Sequence, residues 1–268
     1  TLLLDGGVQY ASLPPTLFVR TERQDPRVKP VALQLLGGAS GIDGFPGFEP
    51  RTKASARHAV DFLIDTLLAE EDNAVTVACL APVTNLAVAL IREPRIASKI
   101  RSVVLMGGAR SAGGNITPAA TFNIYFDPHA AAVVLGCGRP VTFLSLDACS
   151  QVLSSKARLS ALREAGGRAG AAMADLIAHF DAVRIRKFGF TTDGAPTNDP
   201  CVIAYLIDPG MFVAKQANVR IELQSDLTLG MTVVDFWGIT GLPVNATWVY
   251  GADGDAVFAL LRDRLAHL

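Results

Sequence analysis

The chain has 268 residues, half of them hydrophobic, which is enough for a sizeable buried core and one large domain. Acidic and basic side chains nearly cancel to a formal net charge of -1 and are interspersed, which excludes the basic surface that nucleic acid or an anionic membrane requires. The longest apolar runs are too short to span a bilayer, so we expect no membrane partner.

Short aliphatic or β-branched runs alternate with longer helical patterns, which is typical of an α/β protein. Strands are predicted at residues 2–4, 16–19, 74–79, 102–106, 141–146 and 218–223. Helices are predicted at residues 54–69, 83–92, 128–135, 155–165, 170–188, 200–207 and 256–268. All strands but the last are largely apolar on both faces, as central parallel strands tend to be. The pattern predicts one domain over residues 1–268, with an open, mostly parallel sheet and helices on both faces.

Two predicted helices start with a polar side chain directly before a proline. Asp127 precedes Pro128, and Asn198 and Asp199 precede Pro200. A short polar side chain caps the first turn of a helix, and proline suits that turn because its missing N–H is not needed there. In an α/β sheet such strand-to-helix junctions surround the binding crevice, so both junctions are candidate site elements.

A glycine-rich loop follows the strand that ends at Met106 and runs past Asn115 to Thr121 and Asn123. Two asparagines beyond the end of a strand are suited to hydrogen-bond a sugar, because each amide offers donors and acceptors. The alternative is that the glycines form a tight turn and the amides satisfy local backbone groups. The residues alone leave both interpretations open.

Four cysteines are spread along the chain without a Cys-x-x-Cys pattern. This spacing predicts buried, reduced thiols and a cytoplasmic protein, rather than disulfides or a metal site.

Four segments stand in the order and spacing of the inosine-uridine preferring nucleoside hydrolase family, which the chain resembles: residues 81–89, 103–109, 114–118 and 122–128. Further similarity lies at residues 145–147, 198–205, 208–209 and 227–235, and residues 38–44 resemble the loop beside the substrate. The resemblance implies the fold of that family and a hydrolase that cleaves the N-glycosidic bond of ribonucleosides to ribose and free base in nucleoside salvage. It also implies a bound calcium ion and a homodimer or homotetramer.

The resemblance also assigns positions to the metal and the catalytic groups. Asp5, the main-chain carbonyl of Leu80, and Asp199 match metal ligands, and Asn198 and Asp199 match the catalytic pair. A hard cation held by carboxylate and carbonyl oxygens can bind the ribose diol and lower the pKa of a bound water.

The substrate pocket implied by the resemblance is lined by Met106, Asn115, Thr121 and Asn123. The two amides would supply donors and acceptors to the sugar hydroxyls. Phe122, Phe236, Trp237 and Trp248 are candidates for stacking on the base, although aromatic residues near strands more often belong to the core.

The chain departs from the family pattern at several catalytic positions. The N-terminal Asp-x-Asp-x-x-x-Asp-Asp cluster is reduced to Asp5, and the following segment is shorter by two helices and a strand. Thr121 stands where the family has a glutamate and Asn198 where it has a histidine; an amide cannot protonate a leaving base near neutral pH. Two explanations stay open: an internal stretch is missing from the sequence as given, or the protein is a catalytically impaired homologue that binds a nucleoside or small polyol without turnover.

Overall fold

The computed structural model describes residues 2–4, 57–188 and 193–267, with the side chains of residues 57–186 and 193–267. The predicted strand at residues 16–19, the loop at residues 38–44 and the candidate ligand Asp5 lie outside the described residues.

Seven strands of the described chain form one sheet in the order β1-β2-β3-β4-β7-β5-β6. The strands are β1 (Leu2–Leu4), β2 (Val75–Cys79), β3 (Ile100–Met106), β4 (Val141–Leu144), β5 (Phe212–Ile221), β6 (Thr232–Asp235) and β7 (Ala246–Ala252). Strands β2, β3, β4 and β7 are parallel neighbours. β1 pairs antiparallel with β2, and β5 pairs antiparallel with both β7 and β6. The predicted open α/β sheet is confirmed, with a parallel centre and antiparallel strands at its edges.

Ten α-helices occur within the described residues. They are α1 (Ala59–Leu68), α2 (Thr84–Arg92), α3 (Ile96–Lys99), α4 (Phe122–Tyr125), α5 (Pro128–Leu135), α6 (Leu146–Cys149), α7 (Lys156–Ala165), α8 (Gly167–Phe188), α9 (Asp199–Ile207) and α10 (Gly254–Leu265). The seven longer helices were predicted, with most ends within three residues, whereas the one-turn helices α3, α4 and α6 were not. None of the described helices is long and apolar enough to cross a membrane.

The sequence pattern missed two strands and misplaced the bounds of two others: β5, predicted at residues 218–223, spans Phe212–Ile221, and β4 ends earlier than predicted. β6 is short and ends in Asp235, and Gly251 interrupts the apolar pattern of β7 near its end. β4 was predicted to reach Leu146, but the chain turns into α6 there, because the Leu146 N–H donates to the Gly108 carbonyl at 2.9 Å instead of continuing the ladder.

The chain forms two compact units, neither of them continuous in sequence. Of the described elements, the first unit contains β1–β7, α1–α6 and α9, and the second contains α7, α8 and α10. The single domain suggested by the sequence stays a prediction.

The centre of the sheet in the first unit is buried on both faces. In β3, Val103 and Leu105 join the main core cluster with Leu67 and Leu86 of the helices, while Val104 is buried outside that cluster. Successive residues of a strand point to opposite faces, so apolar side chains are covered on each side of β3. This explains the continuous apolar pattern of the central strands, as expected of a parallel sheet with helices on both faces.

The second unit has a small core of its own in which α7 packs against α8. Leu159 and Leu162 cluster with Ala174. The start of α7 is also tied to α10, because the Arg158 guanidinium lies 2.7 Å from the Asp255 carboxylate and 5.1 Å from the centre of the Phe258 ring. Asp255 is almost fully exposed, so solvent screens this ion pair and the ring contact contributes the more durable part.

Three of the four cysteines are buried, as the sequence predicted, and Cys137 is half-buried. Burial raises the pKa of Cys79 to about 11, which keeps that thiol protonated.

Candidate active site

The candidate site residues gather where parallel strands end. β2, β3 and β4 run in the same direction, so their carboxyl ends meet at one edge of the sheet. Leu80 follows β2, Met106 ends β3, and helix α9, which starts at Asp199, packs against β3. Two stretches of this edge carry the polar groups: the loop after β3 with α4, and the start of α9.

Asn123, in α4, joins the ends of β2 and β3. Its Nδ2 group donates to the carbonyl oxygens of Leu80 at 3.2 Å and Met106 at 3.0 Å, and it also lies 3.4 Å from the Met106 Sδ atom. Both amide hydrogens are therefore engaged by protein. Oδ1 accepts no hydrogen bond from another residue in the described part of the chain, so Asn123 can offer a ligand an acceptor and nothing else.

Asn115 has the opposite arrangement. Its Oδ1 accepts from the Phe122 N–H at 2.7 Å, at the first residue of α4, and its side chain is exposed. Nδ2 donates to no other side chain or backbone group that the structure describes, so Asn115 presents hydrogen-bond donors. Each asparagine satisfies local backbone with one end of its amide and leaves the other end available, which combines the two interpretations drawn from the sequence.

Thr121 is buried and immediately precedes α4. Its Oγ1 accepts from the Gly108 N–H at 2.9 Å. Gly108 has φ +83°, and a Cβ atom there would lie 2.7 Å from the Trp248 ring, so only glycine fits between the threonine and the tryptophan. The hydroxyl of Thr121 thus fixes the backbone of the loop after β3.

Every backbone N–H from residue 107 to residue 112 has a fixed acceptor. The first three donate in turn to the Leu144 carbonyl at 3.0 Å, to Thr121, and to the Thr232 hydroxyl at 3.0 Å. The next three donate to the carboxylate of Asp147, in α6, at 3.0, 2.7 and 2.7 Å. The loop conformation is therefore set by protein groups before any ligand binds. The sequence analysis gave Asp147 no role, although its place just after β4, at the carboxyl edge, was a usable signal.

The start of α9 is less well satisfied. Asp127 caps α5 by accepting from the Ala130 N–H at 2.9 Å, as the sequence predicted, but Asn198 makes no such cap on α9. The Asn198 carbonyl accepts from Cys149 Sγ at 3.8 Å, while its side-chain Oδ1 is buried and finds no partner among the described residues. A buried acceptor without a partner is unusual in a folded protein and is typical of a place where a ligand or ion binds.

Asp199, the first residue of α9, is exposed to solvent, although the protein beside its carboxyl reduces hydration of the charged form. Burial raises the pKa of Asp199 to about 6. A carboxylate whose charged form is poorly solvated gains most from a nearby cation.

The described residues do not by themselves complete a metal site. No three His, Cys, Asp or Glu side chains converge in residues 57–186 and 193–267. The Asp199 carboxylate and the Leu80 carbonyl are the oxygen donors that calcium prefers, but calcium takes roughly six to eight such ligands. The donor chemistry fits a hard divalent cation, and the remaining ligands must come from elsewhere.

The four aromatic candidates have different environments. Trp248 is fully buried against Phe143, with ring centres 5.6 Å apart, so it belongs to the core and cannot stack on a base. Phe122 packs on Phe126 at 4.3 Å. Trp237 is mostly exposed and contacts Phe236, whose ring also lies 4.4 Å from the Arg110 guanidinium.

The fold of the chain is similar to that of solved nucleoside hydrolases. The purine-preferring ribonucleoside hydrolase from Gardnerella vaginalis aligns with a TM-score of 0.78 and 26% identity, over 90% of this chain and 75% of that one.

Relatives in sequence are closer. The pyrimidine-specific ribonucleoside hydrolase RihA of Shewanella sp. (strain ANA-3) is 39% identical over 249 residues, covering 89% of this chain and 76% of the relative. RihB of Escherichia coli O9:H4 (strain HS), also named pyrimidine-specific, is 36% identical over 236 residues, with 88% and 74% covered. Residues 17–259 match the family model for inosine-uridine preferring nucleoside hydrolases. The chain belongs to the inosine-uridine preferring nucleoside hydrolase family.

Proposed function

We propose that this protein hydrolyses the N-glycosidic bond of ribonucleosides, yielding ribose and the free base, at the carboxyl edge of β2, β3 and β4. The observation that carries the site assignment is the double hydrogen bond of Asn123, which locks the ends of β2 and β3 together and leaves one amide oxygen for a ligand. Family membership supports the hydrolase class, and the relatives named above are ribonucleoside hydrolases.

The reaction needs a site that holds the sugar while its ring becomes oxocarbenium-like and the base departs. In the proposal, Asn123 accepts a hydrogen bond from a ribose hydroxyl and Asn115 donates one. Met106 provides an apolar contact, and Thr121 completes the pocket wall while it holds the backbone of Gly108. Because these groups are positioned by hydrogen bonds within the protein, little ordering remains to be done when the sugar binds.

At the start of α9 the proposal assigns Asn198 to the base and Asp199 to the ion. The unpartnered Oδ1 of Asn198 is an acceptor for an N–H of the leaving base. Asp199, the Leu80 carbonyl and Asp5 would hold calcium, which when bound supplies a grip on the ribose diol and lowers the pKa of a water. The poorly solvated carboxylate of Asp199 supports this role.

The wider setting is also proposed by family resemblance. We expect a cytoplasmic homodimer or homotetramer that acts in nucleoside salvage. The relatives include enzymes named pyrimidine-specific and one named purine-preferring, so both base classes belong in the test.

A ribose-release assay with uridine, cytidine, inosine and adenosine tests the proposal. Reducing sugar should appear with at least one nucleoside in the presence of calcium and should stop after chelation, returning when calcium is restored. Isothermal titration of the same nucleosides runs in parallel. Binding without any sugar release would overturn the proposed turnover and leave the impaired homologue, and release that resists chelation would overturn the metal assignment.

A further inference from the structure

We infer that Asp147 is a positioning residue for substrate binding: its carboxylate sets the loop after β3 that presents Asn115 to the sugar. The inference rests on the proposed function, because it concerns how that site is held in shape. It adds a residue that lies outside the set matched to metal, substrate or catalysis.

One carboxylate collects five hydrogen bonds. Three come from consecutive backbone N–H groups, those of Arg110, Ser111 and Ala112, at 3.0, 2.7 and 2.7 Å. The Trp248 Nε1–H donates at 3.2 Å, and the Ser145 hydroxyl lies 3.3 Å away. Hydrogen bonds to an ionised acceptor are about twice as strong as those between neutral groups, so this cluster is a strong local constraint.

Within residues 57–186 and 193–267, Asp147 has no basic partner that would suggest a simple ion pair. No salt bridge reaches it from the described residues, and the guanidinium of neighbouring Arg110 lies over the Phe236 ring instead. All the donors are neutral, and three of them belong to one short stretch of main chain. The carboxylate therefore acts on the path of the loop rather than on the charge balance of the surface.

The constrained stretch leads directly into the substrate contacts. After Ala112 the chain makes a turn so tight that a Cβ atom on Gly114 would lie 2.1 Å from the Thr117 carbonyl. Asn115 follows, and its Oδ1 binds the first N–H of α4, the helix that carries Asn123. A fixed backbone at residues 110–112 therefore helps to position both Asn115 and Asn123.

Removing the carboxylate should loosen this loop without opening the core. The Trp248 ring keeps its buried contacts, and Gly108 and Ala109 keep their own acceptors, Thr121 and Thr232. A loss confined to loop order weakens binding of substrate and transition state alike, which raises KM and leaves kcat nearly unchanged.

The test compares Asp147→Asn and Asp147→Ala with a matched control, Asp235→Asn. Asp235 is also half-buried and also accepts loop hydrogen bonds, from the Ile239 and Thr240 N–H groups at 2.8 Å each. For Asp147→Asn we expect KM for the best ribonucleoside to rise about tenfold, the equivalent of one or two lost charge-assisted bonds, with kcat changed less than about threefold. Asp147→Ala should show a larger rise, and Asp235→Asn none.

Amide hydrogen exchange gives the second readout. Exchange at residues 110–112 and 115 should quicken at least about tenfold in Asp147→Asn, whereas Asp235→Asn should quicken exchange only at residues 239–240. A wild-type KM, a loss in kcat alone, or unchanged exchange at residues 110–112 overturns the inference. Failure of both Asp147 variants to fold also overturns it, since the carboxylate would then be a general folding determinant.

The proposed function can fail separately. If the wild-type protein releases no ribose, exchange at residues 110–112 together with calorimetric nucleoside affinity decides the inference in place of KM. Faster exchange and weaker affinity in Asp147→Asn would support it without turnover, and equal affinity would overturn it.

Discussion

The two polar stretches at the carboxyl edge of the sheet are built in opposite ways. In the loop after β3, six consecutive N–H groups all have acceptors within the protein. At the start of α9, Asn198 keeps a buried oxygen without a partner among the described residues, and the Asp199 carboxyl is poorly solvated. Satisfied groups define a shape, whereas unsatisfied groups lower their energy only when something binds. The loop after β3 therefore has a fixed shape, whereas the start of α9 has polar groups that remain available to a ligand.

The largest effect should follow from removing the carboxylate at the start of α9. Asp199→Ala should lower kcat/KM by roughly a thousandfold and abolish calcium binding measured by calorimetry, because a metal ligand and its charge are lost together. The control is Asp208→Ala, at the other end of the same helix, which should leave kcat/KM and calcium binding unchanged. Asp208 is exposed, and its carboxylate accepts a hydrogen bond from the Gly210 N–H. Retained calcium binding in Asp199→Ala would contradict the ligand assignment.

The second-largest effect concerns Asn123, whose side chain holds the ends of β2 and β3 together. Asn123→Ala leaves the Leu80 and Met106 carbonyls without their shared donor, so the free energy of unfolding should fall by about 2 kcal/mol and kcat/KM by about a hundredfold. Asn245→Ala is matched to it, since Asn245 also makes two backbone hydrogen bonds, both with Val219. That variant should lose similar stability in urea denaturation and keep its KM. Equal KM changes in both would show that Asn123 is structural alone.

The close approach of the loop to the core gives a prediction on stability. Gly108→Ala combines a positive φ with a Cβ atom 2.7 Å from the Trp248 ring, so unfolding free energy should drop by about 3 kcal/mol. Gly238→Ala has a similar φ, +72°, but open space around it, and should cost about 1 kcal/mol. Denaturant titration of both variants isolates the contact with Trp248. Matching losses would mean that the loop moves away from the ring at little cost.

A smaller effect is expected at the unpartnered oxygen. Asn198→Ala removes a buried acceptor that has no donor among the described residues, so stability should stay constant or rise by up to about 1 kcal/mol. kcat/KM should nevertheless fall about tenfold, because the base loses a hydrogen bond. An unchanged or higher unfolding free energy together with a lower kcat/KM would support a ligand-binding role for the start of α9, in contrast to the structural role of the loop after β3. A clear loss of stability would show that the oxygen has a partner in the folded protein.

The smallest effect concerns pH. The pKa of Asp199 is raised to about 6, so the metal-free folded state prefers the protonated carboxyl. The protonated Asp199 carboxyl stabilises the fold fully below pH 3.8, the pKa in the unfolded chain. This stabilisation is lost as pH rises through about 6, the pKa in the folded protein. Unfolding free energies of wild type and Asp199→Asn, measured without metal at pH 4 and pH 7, should converge at pH 4 and diverge at pH 7, with the variant more stable. Calcium affinity should fall in the same range as pH drops, because the ion competes with the proton.

The sequence predicted the central strands because a parallel strand that is buried on both faces is a nearly continuous run of apolar residues, as in β3. It missed β6, which is short and pairs with β5, and β7, which pairs with both β4 and β5 and is interrupted by Gly251. Family resemblance singled out Asn115 and Asn123 as candidates, and membership of the family is confirmed by the comparisons, in which sequence relatives are named ribonucleoside hydrolases. Which end of each amide is engaged could not be predicted, since that depends on carbonyls brought together only by folding.

The opposed orientation of the two amides bears on which sugars the site can distinguish. Asn123 offers an acceptor and Asn115 offers donors. A hydroxyl can play either part, so a sugar with its full set of hydroxyls can match both amides at once. A deoxy sugar would place a C–H group opposite one of the two amides and leave that amide without a hydrogen-bond partner. Such an unpaired polar group discriminates between substrates far more strongly than a missing methylene does. Selection for ribose over deoxyribose would then depend on the opposite orientations of the side-chain amides of Asn115 and Asn123.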